Sequence, residues 1–160
     1  MQFPSLAQLK KELSLLPEKE LIHLIADLAK FSRENKAFLF FKLQEKENPG
    51  LFLEMVKEEL DTEFQKSNVN QAYYAKKSAQ AIRRKLNKML KLSKKKEDQI
   101  EAILYFCEQL KEYGYLQFKY PVIDNLYQIQ LEKAKKLILG LHEDLQYDFE
   151  IRLQGLEKLD

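Results

Sequence analysis

One cysteine, Cys107, leaves this chain no partner for an internal disulfide. Two histidines, His23 and His142, are too few for most metal centres, which need several ligands converging at fixed spacings. Four glycines stand singly, so no glycine-rich phosphate loop exists, and with only four prolines long irregular loops are not expected. No apolar run approaches the roughly 20 residues that span a bilayer. The opening Met1-Gln2-Phe3-Pro4-Ser5 lacks a basic and then apolar leader, which predicts no signal peptide. Together these shortages predict a soluble cytoplasmic protein without membrane attachment.

The most informative shortage is of acid. Residues 64–96 contain no Asp or Glu but eleven Lys or Arg: Lys66, Lys76, Lys77, Arg83, Arg84, Lys85, Lys88, Lys91, Lys94, Lys95 and Lys96. The segment carries +11, leaving 16 basic and 25 acidic side chains elsewhere, a balance of −9. A net charge of +2 thus conceals a basic middle between acidic flanks. A contiguous positive strip implies a negative partner, on this chain or on another molecule.

What is plentiful is apolar helix. Ten Phe, eight Tyr and 45% hydrophobic residues supply enough area to offset chain entropy, so disorder is not expected. Chain length suits one domain, residues 1–160. Ser5 and Gln8 have capping-box spacing before Leu6, Leu9 and Leu13. Pro17 opens a second helix with Leu21, Leu24, Ile25 and Leu28 on one stripe. A third helix is expected at 35–46, and Asn48-Pro49-Gly50 introduces a fourth that buries Phe52, Val56, Leu60 and Phe64. The fifth, at 70–92, carries Ala72, Ala75, Ala79, Ile82, Leu86 and Met89 at alternating spacings of three and four. Ser93 caps a sixth with Ile100, Ile103, Leu104, Cys107 and Leu110 inward, closed by Gly114. Pro121 starts a seventh, ended or bent near Gly140, and an eighth presents Leu145, Phe149, Leu153 and Leu156. The expected fold class is all-α: about eight antiparallel helices, as a bundle or a short helical-hairpin array.

Several stretches resemble a known pattern. Leu9-Lys10-Lys11-Glu12-Leu13, then Lys19-Glu20-Leu21-Ile22-His23-Leu24-Ile25, then Glu34-Asn35-Lys36-Ala37-Phe38-Leu39 belong to it. So do Asp124-Asn125-Leu126-Tyr127 and Leu131-Glu132-Lys133-Ala134. In these the chain resembles a family of small uncharacterised bacterial helical proteins, a domain of unknown function. The resemblance implies an all-α fold and transfers no catalytic residues. The basic fifth helix is this sequence's own.

Catalytic constellations are hard to assemble. Glu20-x-x-His23 has the i, i+3 spacing of a di-iron half-site, but no second copy accompanies it. Cys107 lies on an apolar stripe beside Glu108, which suits a buried thiol rather than a nucleophile. Glu58, Glu59, Asp61 and Glu63 read as a solvated helix end, or as acids that receive the first basic residues of the next helix. No catalytic residue, metal ligand or cofactor is predicted.

The sharp expectation is therefore a non-enzymatic interaction protein. Lys77, Arg84, Lys88 and Lys91, spaced 7, 4 and 3, form one face of the fifth helix, with Arg83 and Lys85 flanking. This face suits an acidic protein surface or self-association through an acidic flank of a second copy. The alternative is a nucleic-acid-binding accessory role, the same residues contacting phosphates while Tyr73 and Tyr74 stack on bases. Nine lysines to two arginines favour nonspecific contact over base readout.

Overall fold

Helix boundaries follow local chemistry closely. In the computed structural model, which describes residues 2–67 and 69–158, Ser5 and Gln8 cap α1 (Leu6–Leu13) reciprocally, with Ser5 N–H donating to the Gln8 side chain at 2.8 Å. Pro17 stands just ahead of α2 (Glu18–Phe31), whose first turn holds Glu18 and Glu20. Ser32, extended at φ −154°, ends α2. Its hydroxyl accepts from Asn35 N–H at 3.0 Å and so caps α3 (Arg33–Gln44), which begins and ends two residues before the span expected from sequence.

The remaining elements are α4 (Leu51–Lys66), α5 (Ala72–Met89), α6 (Lys96–Glu112), a 3-10 turn (Tyr115–Phe118), α7 (Pro121–Ile138) and α8 (Glu143–Glu157). The fold is all-α, with eight α-helices and no strand among the described residues. Three of these helices have ends that differ from expectation. Gly50 rather than Asn48 precedes α4. α5 is shorter at both ends than 70–92, about 27 Å long at 1.5 Å per residue. Lys95, not Ser93, precedes α6, while the buried Ser93 hydroxyl accepts from Lys95 N–H and donates to Asp98.

The chain gathers into two compact units, the first ending at Leu43 and the second beginning at Gln44. In the first, α1 and α2 bury no residue and α3 buries Phe41 alone. The stripes of α1 and α2 are therefore present as sequence predicts but are not turned into a core. In the second unit, α6 lies at the centre and packs on α4, α5, α7, α8 and the 3-10 turn. It buries Ala102 and Phe106 in addition to the five residues expected inward. Lys85 of α5 meets Glu59 and Glu63 of α4 while Ser78 approaches Ser67 through Tyr115, so α4 and α5 run antiparallel. α6 and α8 run in the same direction: Arg152 reaches Glu101 and Glu108, and Lys111 reaches the Lys158 carbonyl.

Two polar ties hold this core in register. Buried Tyr115 uses its hydroxyl twice, with Ser67 at 2.7 Å and Ser78 at 2.8 Å, tying the end of α4 to the second turn of α5. Its ring meets Phe64 edge-on, and Phe64 also contacts Phe106 and Tyr113. Gly114 takes φ +75°, the left-handed conformation expected of a glycine closing a helix.

Candidate interaction surface on α5

The inner side of α5 is Ala75, Ala79, Ile82 and Leu86, all buried. Ala72 and Met89, expected on the same seam, are only half-buried at the helix ends. Small alanines in the first half let neighbouring helices approach closely. Helical geometry then sends positions 77, 84 and 88 to the opposite side, and Lys77, Arg84 and Lys88 are all exposed.

Lys91 does not continue this row. α5 ends at Met89, and the chain turns so that Leu90 and Leu92 are both buried, leaving Lys91 exposed on the turn between them. Arg83 and Lys85 lie on the flanks and are half-buried. Arg83 Nε is buried without a hydrogen-bond partner.

Lys85 has an intramolecular role. Its ammonium lies 2.7 Å from Glu59 Oε1 and 2.8 Å from Glu63 Oε1. Burial pulls its pKa down, but hydrogen bonds and charge from the two carboxylates outweigh this and raise it. Part of the acidic run thus folds back on the basic helix. Glu63 also stands 3.8 Å from Lys66, and Asp61 accepts from the Tyr105 hydroxyl. Burial first, and then that carboxylate, raises the Tyr105 pKa. Only Glu58 of the four acids is exposed.

Aromatic rings mark the N-terminal end of the row. Tyr73 and Tyr74, half-exposed, meet edge to face at 5.5 Å. Lys77 Nζ sits 4.5 Å from the Tyr73 ring centre, and Lys76 Nζ lies between Tyr73 at 5.5 Å and Tyr120 at 5.9 Å. A hydrogen bond from Lys77, then its charge, lowers the Tyr73 pKa. Cation and ring faces therefore stand together on one exposed surface. Lys96 is used elsewhere: its ammonium donates to the Gly140 carbonyl at 2.7 Å, just past the end of α7.

The other candidate residues stay apart. Glu20 and His23 are exposed on α2, and no group of three His, Cys, Asp or Glu residues able to hold a metal occurs among the described residues. His142 caps α8, its Nδ1 accepting from Asp144 N–H at 3.4 Å. Cys107 is fully buried, and that burial raises its pKa, so the thiolate needed for nucleophilic work is suppressed. Sequence inspection missed Arg152, which clamps Glu101 at 2.7 Å and Glu108 at 2.9 Å. A lone arginine on an acidic last helix was the available signal. No described helix is long and apolar enough to cross a membrane. Comparison of the chain with family models, curated proteins and solved structures gives no match.

Proposed function

We propose that this chain is a non-enzymatic interaction module that engages an acidic protein surface through α5. One observation carries the reading: the chain's own acids Glu59 and Glu63 are engaged at Lys85, while Lys77, Arg84 and Lys88 stay exposed along the far side of the same helix. A fixed row of cations on a rigid helix steers an acidic partner and fixes its register. Tyr73, beside Lys77, adds an amphipathic ring of the kind that anchors protein interfaces. The single cysteine, held as a buried thiol, suits a reducing cytoplasm. The helix-pattern resemblance to uncharacterised bacterial proteins suits such a module too.

A second reading has its own support. Tyr73, Tyr74 and Tyr120 around Lys76 and Lys77 form a stacking surface at the head of a cationic row, which fits single-stranded nucleic acid. Fluorescence anisotropy at two salt concentrations separates the readings, with labelled poly-glutamate peptide and single- and double-stranded oligonucleotides as probes. The protein reading expects peptide binding that is lost in Lys77→Glu/Arg84→Glu/Lys88→Glu and weak oligonucleotide binding. Tight, steeply salt-dependent oligonucleotide binding that grows with length and is lost in the same variant overturns it in favour of nucleic acid.

A further inference from the structure

Besides its exposed row, α5 carries a second polar line. Lys76, Gln80, Arg83 and Asn87, spaced 4, 3 and 4, share one flank of the helix and are all half-buried. Ser78 and Lys85, which meet Tyr115 and α4, lie on the opposite flank. The line turns toward α7, because Lys76 Nζ is 5.9 Å from the ring of Tyr120, the residue just ahead of that helix.

α5 and α7 run in the same direction. Their starts meet at Lys76 and Tyr120, and Lys96, past the end of α5, donates to the Gly140 carbonyl, past the end of α7. Lys76 Nζ stands between the rings of Tyr73 and Tyr120, which sets those two residues level. Arg83 is ten residues beyond Tyr73 and Gln130 ten beyond Tyr120, an equal rise of about 15 Å along each helix. Tyr127 and Lys135 reach α8, so Gln130 and Lys133, on the other flank of α7, fall to the α5 side.

The groups brought level here are short of partners. Gln130 is 2% exposed and its Oε1 is buried without a hydrogen-bond partner, as is Arg83 Nε. Among the described residues no carboxylate forms an ion pair with Arg83 or Lys133. Burial lowers the Lys133 pKa, with no carboxylate to offset it. α5 has no acid, and Asp124 and Glu132 of α7 lie about 120° and 160° around the helix from Gln130. Positive charge drawn partly out of water without a counter-charge calls for an anion. The orphaned carbonyl oxygen of Gln130 calls for a hydrogen-bond donor as well.

One simple anion meets both demands. Hydrogen phosphate offers oxygens to cations and keeps a P–O–H hydrogen at neutral pH, whereas sulfate keeps none. We propose that the seam between α5 and α7 is a binding site for hydrogen phosphate, with Arg83 and Lys133 holding its oxygens and Gln130 Oε1 accepting its hydrogen. Every group in it belongs to the second unit. The site is separate from the exposed α5 row and does not depend on its reading.

Isothermal titration calorimetry of the full chain at constant ionic strength tests this, with sodium phosphate and sodium sulfate as titrants. A single phosphate should bind with a dissociation constant of about 1 mM or below, and sulfate about tenfold more weakly. Arg83→Met and Gln130→Leu should each weaken phosphate about tenfold while Cys107 stays as resistant to Ellman's reagent as in wild type. That resistance shows the second unit still folded. Where Arg83→Met loses it, Arg83→Lys makes the same test, since it keeps the charge but not the guanidinium fork. Lys77→Glu/Arg84→Glu/Lys88→Glu should leave phosphate affinity within about threefold, its charges being screened by salt. Absence of phosphate binding at about 10 mM overturns the proposal. So does sulfate binding as tight as phosphate. Binding that survives Arg83→Met and is lost in the triple variant overturns it too, and assigns the heat to an adventitious ion on the exposed row.

Discussion

Tyr127 of α7 donates its hydroxyl hydrogen to the Leu156 carbonyl, 2.8 Å away in the last turn of α8. The tie matters because last-turn carbonyls have no N–H partner within their own helix. Tyr127 is fully buried and Leu156 nearly so, and burial raises the Tyr127 pKa, keeping the phenol in its donating form.

Removing that donor leaves a buried carbonyl unsatisfied. Tyr127→Phe should therefore lower stability by about 1–3 kcal/mol, read as a lower urea midpoint with unchanged helical content. An unchanged midpoint would mean that another group or water reaches the Leu156 carbonyl.

Lys85 gives a pH-dependent prediction. Its folded pKa is raised above the ordinary 10.5, so the ammonium stabilises the fold fully below that value. The contribution disappears as pH rises through the raised value. The urea midpoint difference between wild type and Lys85→Met should stay constant from about pH 7 to 9 and shrink above about 10.5. Because the Lys85 side chain is 38% exposed, solvent screening limits the effect at neutral pH to about 1 kcal/mol, and salt should reduce it.

Burial makes Cys107 a reporter of the core. Ellman's reagent should leave the native protein unmodified and titrate one thiol in urea. Reaction with the folded chain at the rate of a free thiol would contradict the packing of α6. Cys107→Ser should destabilise by about 1–3 kcal/mol by placing an unpartnered hydroxyl there, and more than Cys107→Val.

Gly114 should tolerate no side chain without loss. At φ +75° an added Cβ is strained, and it would meet Gln117 Nε2 at 3.2 Å. Gly114→Ala is expected to cost about 1 kcal/mol in thermal or urea unfolding, and Gly114→Asn less, since Asn accepts the left-handed region better.

Local signals were the legible ones. Ser5 with Gln8, Pro17, Gly114 and Pro121 each act within a turn of their own position, and the structure uses all four. The inward residues of α5 were also legible from Ala75 to Leu86 because that helix faces its neighbours on one side only. α6 was not, since Ala102 and Phe106 are buried by neighbours on other sides, and periodicity describes one stripe at a time. Conversely, Leu24 and Leu28 show the same periodicity as a buried stripe yet remain exposed, because spacing identifies an apolar face without saying what covers it.

The row on α5 was legible in part for a similar reason. Spacing placed Lys77, Arg84 and Lys88 together, which only needs the helix to be regular. Which lysine meets Glu59 and Glu63 depends on how α4 and α5 align, and that alignment rests on contacts such as Tyr115 with Ser67 and Ser78, distant in sequence. Lys91 fell off the row because burial of Leu90 and Leu92 outweighed two more helical residues.

The central position of α6 has a consequence for synthesis. Phe106, Leu110 and their neighbours are synthesised before α7 and α8, and Glu101 and Glu108 wait for Arg152, 51 and 44 residues further on. For several seconds, at the usual elongation rate of about 5–20 residues per second, the central helix lacks part of its covering. Until α7 and α8 follow, α4 and α5 are the partners of α6 already made, so in this window its apolar side is most open to misassociation.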